Sequence, residues 1–118
     1  MASKNFFIYG ITELLILSIL NKGDTYVYEI TKSITNYSND LLSISQNTIY
    51  TATYKLEEDG LITEYSKLVG KKRTRIYYHL EPEGKEYLGK ILTNYLNVTN
   101  GVKNILESLK TMGDNAND

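Results

Sequence analysis

The chain has 118 residues, a formal net charge of −1, 42% hydrophobic and 23% charged residues, the profile of an ordinary small globular domain. It has no cysteine and one histidine, His79, which excludes disulfides, thiolate metal sites and a histidine-built metal site, and suits a reducing cytoplasm. Near-neutral charge excludes a general polycation, so any nucleic-acid surface has to be local.

Residues 7–21 read as a first helix. Ile8, Ile11, Leu15 and Ile19 fall at helical spacing, and Leu14, Leu17 and Leu20 widen the apolar face. The densest apolar run, Phe6 to Leu20, is interrupted by Glu13 and followed by no small-residue cleavage site, so neither a membrane span nor a signal peptide is expected. Lys22-Gly23-Asp24 ends the helix, with Gly23 suited to a left-handed cap. Asp24 or Thr25 can cap a second helix over 26–37, whose buried face is Val27, Ile30 and Ile34. Ser38-Asn39-Asp40 breaks it, and the alternation at Leu42 and Ile44 fits a short strand.

Ser45 is placed to cap a third helix over 46–58. Ile49, Ala52, Thr53 and Leu56 form its inner face. Asn47, Tyr50, Thr51, Tyr54 and Lys55 point the other way, and Gly60 stops it. Two strand-like runs follow, Leu61 to Leu68 and Arg75 to Leu80, with Ile76, Tyr78 and Leu80 on one face and Val69 to Thr74 between them. The last helix starts at Pro82, a residue suited to the first helical position, and runs to about Met112. Leu88, Tyr95, Val102 and Leu109 recur every seven residues, as do Ile91, Val98, Ile105 and Met112. These are a and d heptad positions. A helix of about 30 residues is ~45 Å long, too long to bury its whole stripe on a domain of this size. The stripe asks for a second subunit. The tail from Gly113 to Asp118 is polar and expected to fray. The order is that of an α+β winged helix-turn-helix with one long C-terminal dimerisation helix, divided into a DNA-binding domain over 1–80 and a dimerisation helix with its tail over 81–118.

Two constellations bear on nucleic acid. Ser45, Gln46, Asn47, Thr48, Tyr50 and Thr51 open the third helix with polar side chains that can reach base edges and phosphates. Glu57, Glu58 and Asp59 close it; phosphates repel them, so the N-terminal half has to approach DNA. Lys67, Lys71, Lys72, Arg73 and Arg75 lie within nine residues, with no acid between Tyr65 and Tyr78. Such a hairpin tip can track phosphates or enter a minor groove. The plain alternatives are a solvated helix face and a charged turn that keeps a sheet soluble. The dimer seam comprises Leu88, Ile91, Tyr95, Val98, Val102, Ile105 and Leu109. Tyr95, its one aromatic, either packs or faces a central cavity where a planar ligand could stack. His79 has no evident acid partner. No phosphate loop, catalytic triad or carboxylate pair stands out, so neither an enzyme nor a cofactor is expected.

Several stretches resemble the PadR family of bacterial transcriptional regulators: Thr48-Ile49-Tyr50, Leu56 to Ile62, Arg73 to Leu80 followed by Gly84, and Gly23-Asp24 with Tyr26-Val27-Tyr28 and Ile30. The likeness covers roughly residues 8–109, and the single C-terminal helix is similar to the short, LmrR-like subfamily. The resemblance implies a homodimeric repressor, released by a small molecule or another signal. In that subfamily a flat pore at the dimer centre holds planar, often cationic drugs between aromatic residues, and Tyr95 falls where a stacking tryptophan stands. The chain departs from the family pattern at Lys72, where a glycine often precedes the wing arginines, and at Glu81, where a threonine usually caps the last helix. The combined expectation is a cytoplasmic dimer bound to a pseudo-palindromic double-stranded operator. The alternatives are a winged helix that binds protein and a ligand-binding dimer without DNA binding.

Overall fold

Three helices, a two-stranded hairpin and one long helix follow one another along the chain. The computed structural model describes residues 2–116, and their side chains from 11 to 113. The elements are α1 (Ala2–Leu20), α2 (Val27–Tyr37), α3 (Gln46–Glu58), β1 (Ile62–Val69), β2 (Arg73–Leu80) and α4 (Pro82–Ala116). By contact the chain forms two compact units, residues 1–88 and 89–118.

The first unit is built on α1. This helix begins at Ala2, earlier than the expected residue 7. It is apolar nearly all round, so spacing alone does not select its inner face. The buried side chains are Thr12, Leu14, Ile16, Leu17 and Leu20. Ile11, Leu15 and Ile19, expected to lead the core stripe, are only half-buried, and the Ile8 side chain lies outside those described. With Ile16, Leu17, Ile30, Ile49 and Leu56 at 0% exposure and Ile62 at 1%, each core side chain contributes about 1.5–3 kcal/mol of transfer free energy. Glu13, the charge within α1, accepts a hydrogen bond from the Tyr87 hydroxyl at 3.0 Å and lies 3.8 Å from Lys55 Nζ. Partial burial and the Glu13 carboxylate both push the Tyr87 phenol up.

The caps differ from expectation. Gly23 has φ 158°, far from the ~57° of a left-handed cap. Neither Asp24 nor Thr25 caps α2: the N-cap is Tyr26, extended and without a side-chain cap bond. Thr25 is engaged elsewhere: its carbonyl accepts a bond from the Tyr78 amide at 2.8 Å. At the other end, Asn39 and Asp40 take φ of 54° and 66°, a region these residues tolerate better than most. Ser38 Oγ accepts from the Leu42 amide at 2.9 Å and closes the turn.

Leu42 and Ile44 do not form the expected strand. Ile44 is buried, but the sheet consists of β1 and β2 alone among the described residues. The alternation reflects one buried side chain, Ile44, beside a half-buried Leu42, in a segment that pairs with neither strand. α3 has the expected bounds. Ser45 Oγ accepts from the Thr48 amide at 3.2 Å, Ile49, Thr53 and Leu56 face inward, and Gly60 ends the segment at φ 74°. The buried Thr53 hydroxyl donates to the Tyr50 carbonyl at 2.9 Å, which avoids the ~1–3 kcal/mol cost of an unmet buried polar group.

The hairpin is longer and tighter than expected. Register runs from Ile62↔Leu80 to Val69↔Arg73, so the turn shrinks to Gly70-Lys71-Lys72, with Gly70 at φ 70°. Arg73 therefore joins Arg75 as a strand residue. Ile76, Tyr78 and Leu80 do share a face, but Ile76 stays 40% exposed while the other two are buried.

Pro82 opens α4 as expected, and the helix continues past Met112 to Ala116. Residues 117–118 of the expected frayed tail lie outside the described residues. Just before the helix, the Glu81 carboxylate accepts from Thr63 Oγ1 at 2.8 Å. Of the heptad positions, Leu88 is buried and Ile91 half-buried, whereas Tyr95, Val98, Val102, Ile105, Leu109 and Met112 are exposed.

Gly84 sits in the first turns of α4 against the end of α3. A Cβ there would stand 2.2 Å from the Leu61 carbonyl oxygen and 2.6 Å from Leu80 Cδ1. The carbonyl is backbone and already accepts from the Glu81 amide at 3.0 Å, so it cannot withdraw cheaply. Gly84→Ala is expected to destabilise by about 1–3 kcal/mol, against the ~0.5–1 kcal/mol gain that alanine normally brings to a helix interior. Urea unfolding measures the balance, and a stabilised variant would contradict the contact.

Candidate nucleic-acid interface

The capping of α3 decides which of its polar side chains are free. Ser45 and Thr48 are largely committed to the helix start, their hydroxyls 3.0 Å apart in addition to the cap bond. Thr51 Oγ1 donates back to the Asn47 carbonyl at 3.0 Å. Gln46, Asn47, Tyr50 and Thr51 are exposed and Thr48 is half-buried. The amides of Gln46 and Asn47 and the Tyr50 phenol are thus the groups best placed to meet another molecule.

A cleft joins this helix start to the hairpin. It is lined by Tyr26 and Tyr28 from the α2 start, Gln46 and Tyr50 from α3, and Arg73 and Arg75 from β2. Four residues expected at the site therefore meet in one place. Lys71 and Lys72 occupy the exposed turn and do not line the cleft. Sequence reasoning did not assign Tyr26 or Tyr28 to the site. Their signal was present only as alternating tyrosines around Val27, with nothing local to show that β2 packs there.

Arg75 differs from its neighbours. Its guanidinium lies 4.1 Å from the centre of the Tyr26 ring, and it is half-buried where Arg73 is exposed. Lys67 Nζ stands 4.9 Å from the centre of the Tyr77 ring. Tyr77 contacts Tyr26 at 5.3 Å and Tyr65 at 5.8 Å between ring centres. The face of the hairpin bearing Lys67, Tyr65, Arg75 and Tyr77 is thus a cation–aromatic layer docked on the segment before α2.

Asp24 closes that layer. Its carboxylate accepts from the Tyr65 hydroxyl at 2.8 Å and from His79 Nδ1 at 2.8 Å. A carboxylate only accepts, so His79 Nδ1 carries the proton. His79 Nε2 lies 4.0 Å from Glu81. His79, expected to lack an acid partner, stands between two. Partial burial pushes the Asp24 carboxyl up, but the His79 and Tyr65 hydrogen bonds, with the charges of His79 and Lys67, bring it below its ordinary value. Tyr65 moves the other way, its phenol held up by the bond to Asp24.

The far end of α3 is acidic. Partial burial and the neighbouring Glu64 carboxylate push the Glu57 carboxyl up. Among the described residues, no cluster of three or more acidic or histidine side chains could hold a metal ion, and no helix is long and apolar enough to cross a membrane.

Residues 16–90 match the profile described as the transcriptional regulator PadR-like family. The chain belongs to the PadR-like family of transcriptional regulators. Its fold is similar to that of a transcriptional regulator from Clostridium thermocellum, with 33% identity, a TM-score of 0.75, and coverage of 82% of this chain and 91% of that one. Bacillus subtilis PadR, solved in complex with operator DNA, is 30% identical with a TM-score of 0.63, over 68% of this chain and 45% of that one. The transcriptional regulator YqjI of Escherichia coli (strain K12) is 36% identical over 70 residues, 59% of this chain and 34% of that protein. PadR-like proteins are regulators and not enzymes, and the winged helix described above is their fold.

The Asp24 bonds give this PadR-like domain a pH signature. Because the folded carboxyl titrates below its unfolded value of 3.8, its stabilising contribution is present above about pH 4 and is lost as pH falls through the folded value. Asp24→Asn is expected to be less stable than the wild type near neutrality, with the gap in urea midpoint closing below about pH 4. A gap that stays constant with pH would exclude the ionised carboxylate as its source.

Proposed function

We propose that this chain is a dimeric, sequence-specific transcriptional repressor. Residues 1–80 bind double-stranded DNA and residues 81–118 supply the dimerisation helix. The observation that carries the reading is the cleft in which the exposed start of α3 meets Arg73. It lets one surface read base edges and hold the adjacent backbone. In this reading Gln46, Asn47, Tyr50 and Thr51 face the major groove, and Ser45 and Thr48 shape the helix start. Lys71, Lys72 and Arg73 lie along backbone phosphates, with Arg75 at the base of the wing. Two such surfaces, about one helical turn or ~34 Å apart, suit a pseudo-palindromic operator.

The dimer follows from exposed apolar area. Tyr95, Val98, Val102, Ile105, Leu109 and Met112 are 40–64% exposed. Each regains roughly 1–2 kcal/mol on being covered. Two copies of the stripe supply a gain of at least the same order as the roughly 4–15 kcal/mol cost of association. Leu88 and Ile91 begin the same stripe. Tyr95 offers its ring to a planar aromatic effector at the dimer centre, and release of DNA by such a molecule completes the regulatory cycle.

Two measurements test this. With duplex DNA from the region upstream of the chain's own gene, Arg73→Ala is expected to weaken binding to every sequence and lower the salt slope by about 1. Asn47→Ala is expected to cost about 1–3 kcal/mol at particular base pairs only; no binding by the wild type at low salt would sink the reading. In light scattering, Val102→Glu is expected to convert a dimer-sized species to a monomer-sized one, and an unchanged mass would remove the heptad stripe from the interface.

A further inference from the structure

We propose that Arg75 is a positioning residue, which clamps the wing to the start of α2 through Tyr26 and leaves phosphate contact to its neighbours. The inference rests on the DNA-binding reading for its consequence, but the clamp itself belongs to the free protein.

The geometry separates Arg75 from the other wing cations. Lys71, Lys72 and Arg73 are exposed, whereas Arg75 is half-buried with its guanidinium 4.1 Å from the Tyr26 ring centre. Tyr26 is itself fixed: its carbonyl accepts from the Ile30 amide at 3.0 Å and begins α2. One residue earlier, Thr25 is bonded to Tyr78, and before it Asp24 holds Tyr65 and His79. Three consecutive residues therefore grip both strands of the hairpin.

Strand alternation explains why this works. Arg75, Tyr77 and His79 share one face of β2, and their register partners are Lys67, Tyr65 and Thr63. Of that face, Lys67, Tyr65, Arg75, Tyr77 and His79 each stack on an aromatic ring or bond to Asp24, and Thr63 donates to Glu81. Tyr26 is the point where the layer meets α2, and α2 leads into the loop that presents α3. Arg suits the post because its planar guanidinium stacks on a ring. Tyr26 stands among the residues that begin the cleft beside Gln46 and Tyr50. A loosened clamp therefore changes the angle at which Arg73 and the α3 start meet one duplex.

The test uses the full chain with Tyr26→Leu, Tyr26→Phe, Arg75→Gln and the Tyr26→Leu/Arg75→Gln double variant. Without DNA, urea unfolding reads the clamp. The two disruptive changes are expected to be non-additive, with a coupling of roughly two- to fivefold in the folding equilibrium, the size of a partly exposed cation–π contact. Tyr26→Phe, which keeps the ring, is expected to match the wild type. Strict additivity would overturn the clamp. With the upstream duplex, Tyr26→Leu and Arg75→Gln are expected to lower affinity by similar factors while keeping the wild-type salt slope. A slope lowered by about 1 in Arg75→Gln alone would make Arg75 a phosphate contact and overturn the positioning role. If the variants show the coupling but the wild-type chain binds no duplex, the DNA reading is sunk while the clamp stays in place.

Discussion

The hairpin is held to the helical part of the domain at Tyr78, and the geometry of the candidate interface depends on it. The Tyr78 amide donates to the Thr25 carbonyl, while its ring is buried at 4% exposure against the side of α3 that carries Thr53. Burial holds the phenol above its ordinary value, with the Thr53 hydroxyl as a hydrogen-bonding neighbour. One residue thus faces α3 with its side chain and the α1–α2 connection with its backbone. Its neighbours Tyr77 and His79 face the opposite way, onto Tyr26 and Asp24. A two-stranded hairpin has little stability of its own in water. Here both faces are engaged towards the base of the hairpin, at Tyr78 and Leu80 on one side and Tyr77 and His79 on the other, so the base of the wing is placed before any partner arrives. A surface already in place loses less side-chain and loop freedom on binding than one that must be ordered.

Charge is arranged along the same geometry. The chain is nearly neutral, yet α3 runs from uncharged amides at Gln46 and Asn47 to acids at Glu57, Glu58 and Asp59. The basic hairpin residues lie beside the amide end, where Arg73 and Gln46 line one cleft. An anionic duplex approaching this domain is drawn to one end of α3 and repelled from the other. Electrostatics of this kind sets orientation more than it sets affinity. In the proposed reading, sequence discrimination falls to the short polar side chains of the helix start. The second unit carries a different message. Its long helix leaves aliphatic side chains in water along a heptad stripe, which a second copy of the same chain would cover.

Where local chemistry decides, the sequence was a good guide. Ser45 fixes the start of α3 through a bond three residues away, Gly60 supplies the positive φ that ends it, and Pro82 marks the start of α4. The family could also be recognised from stretches of its winged helix. Where distant residues decide, the sequence was silent. The inner face of α1 could not be read because leucine and isoleucine surround the helix, and packing chose Ile16 over Leu15. Asp24 looks like a helix cap, but its partner is His79, 55 residues away. Ile44 imitates a strand by alternating, although its segment pairs with neither β1 nor β2. Arg73 looks like a loop residue until the hairpin register makes it a strand residue beside Arg75, with different surroundings. The structure adds Tyr26 and Tyr28 to the candidate site for the same reason, since only folding brings β2 beside them.

The central claim is that the start of α3 and the wing form one DNA-facing surface. Backbone amide NMR of the labelled chain, titrated with the upstream duplex, tests it most directly. The account predicts shifts concentrated at residues 46–51 and 71–75, with residues 57–59 left near their free positions. Shifts centred on residues 57–59, or confined to α4, would contradict it.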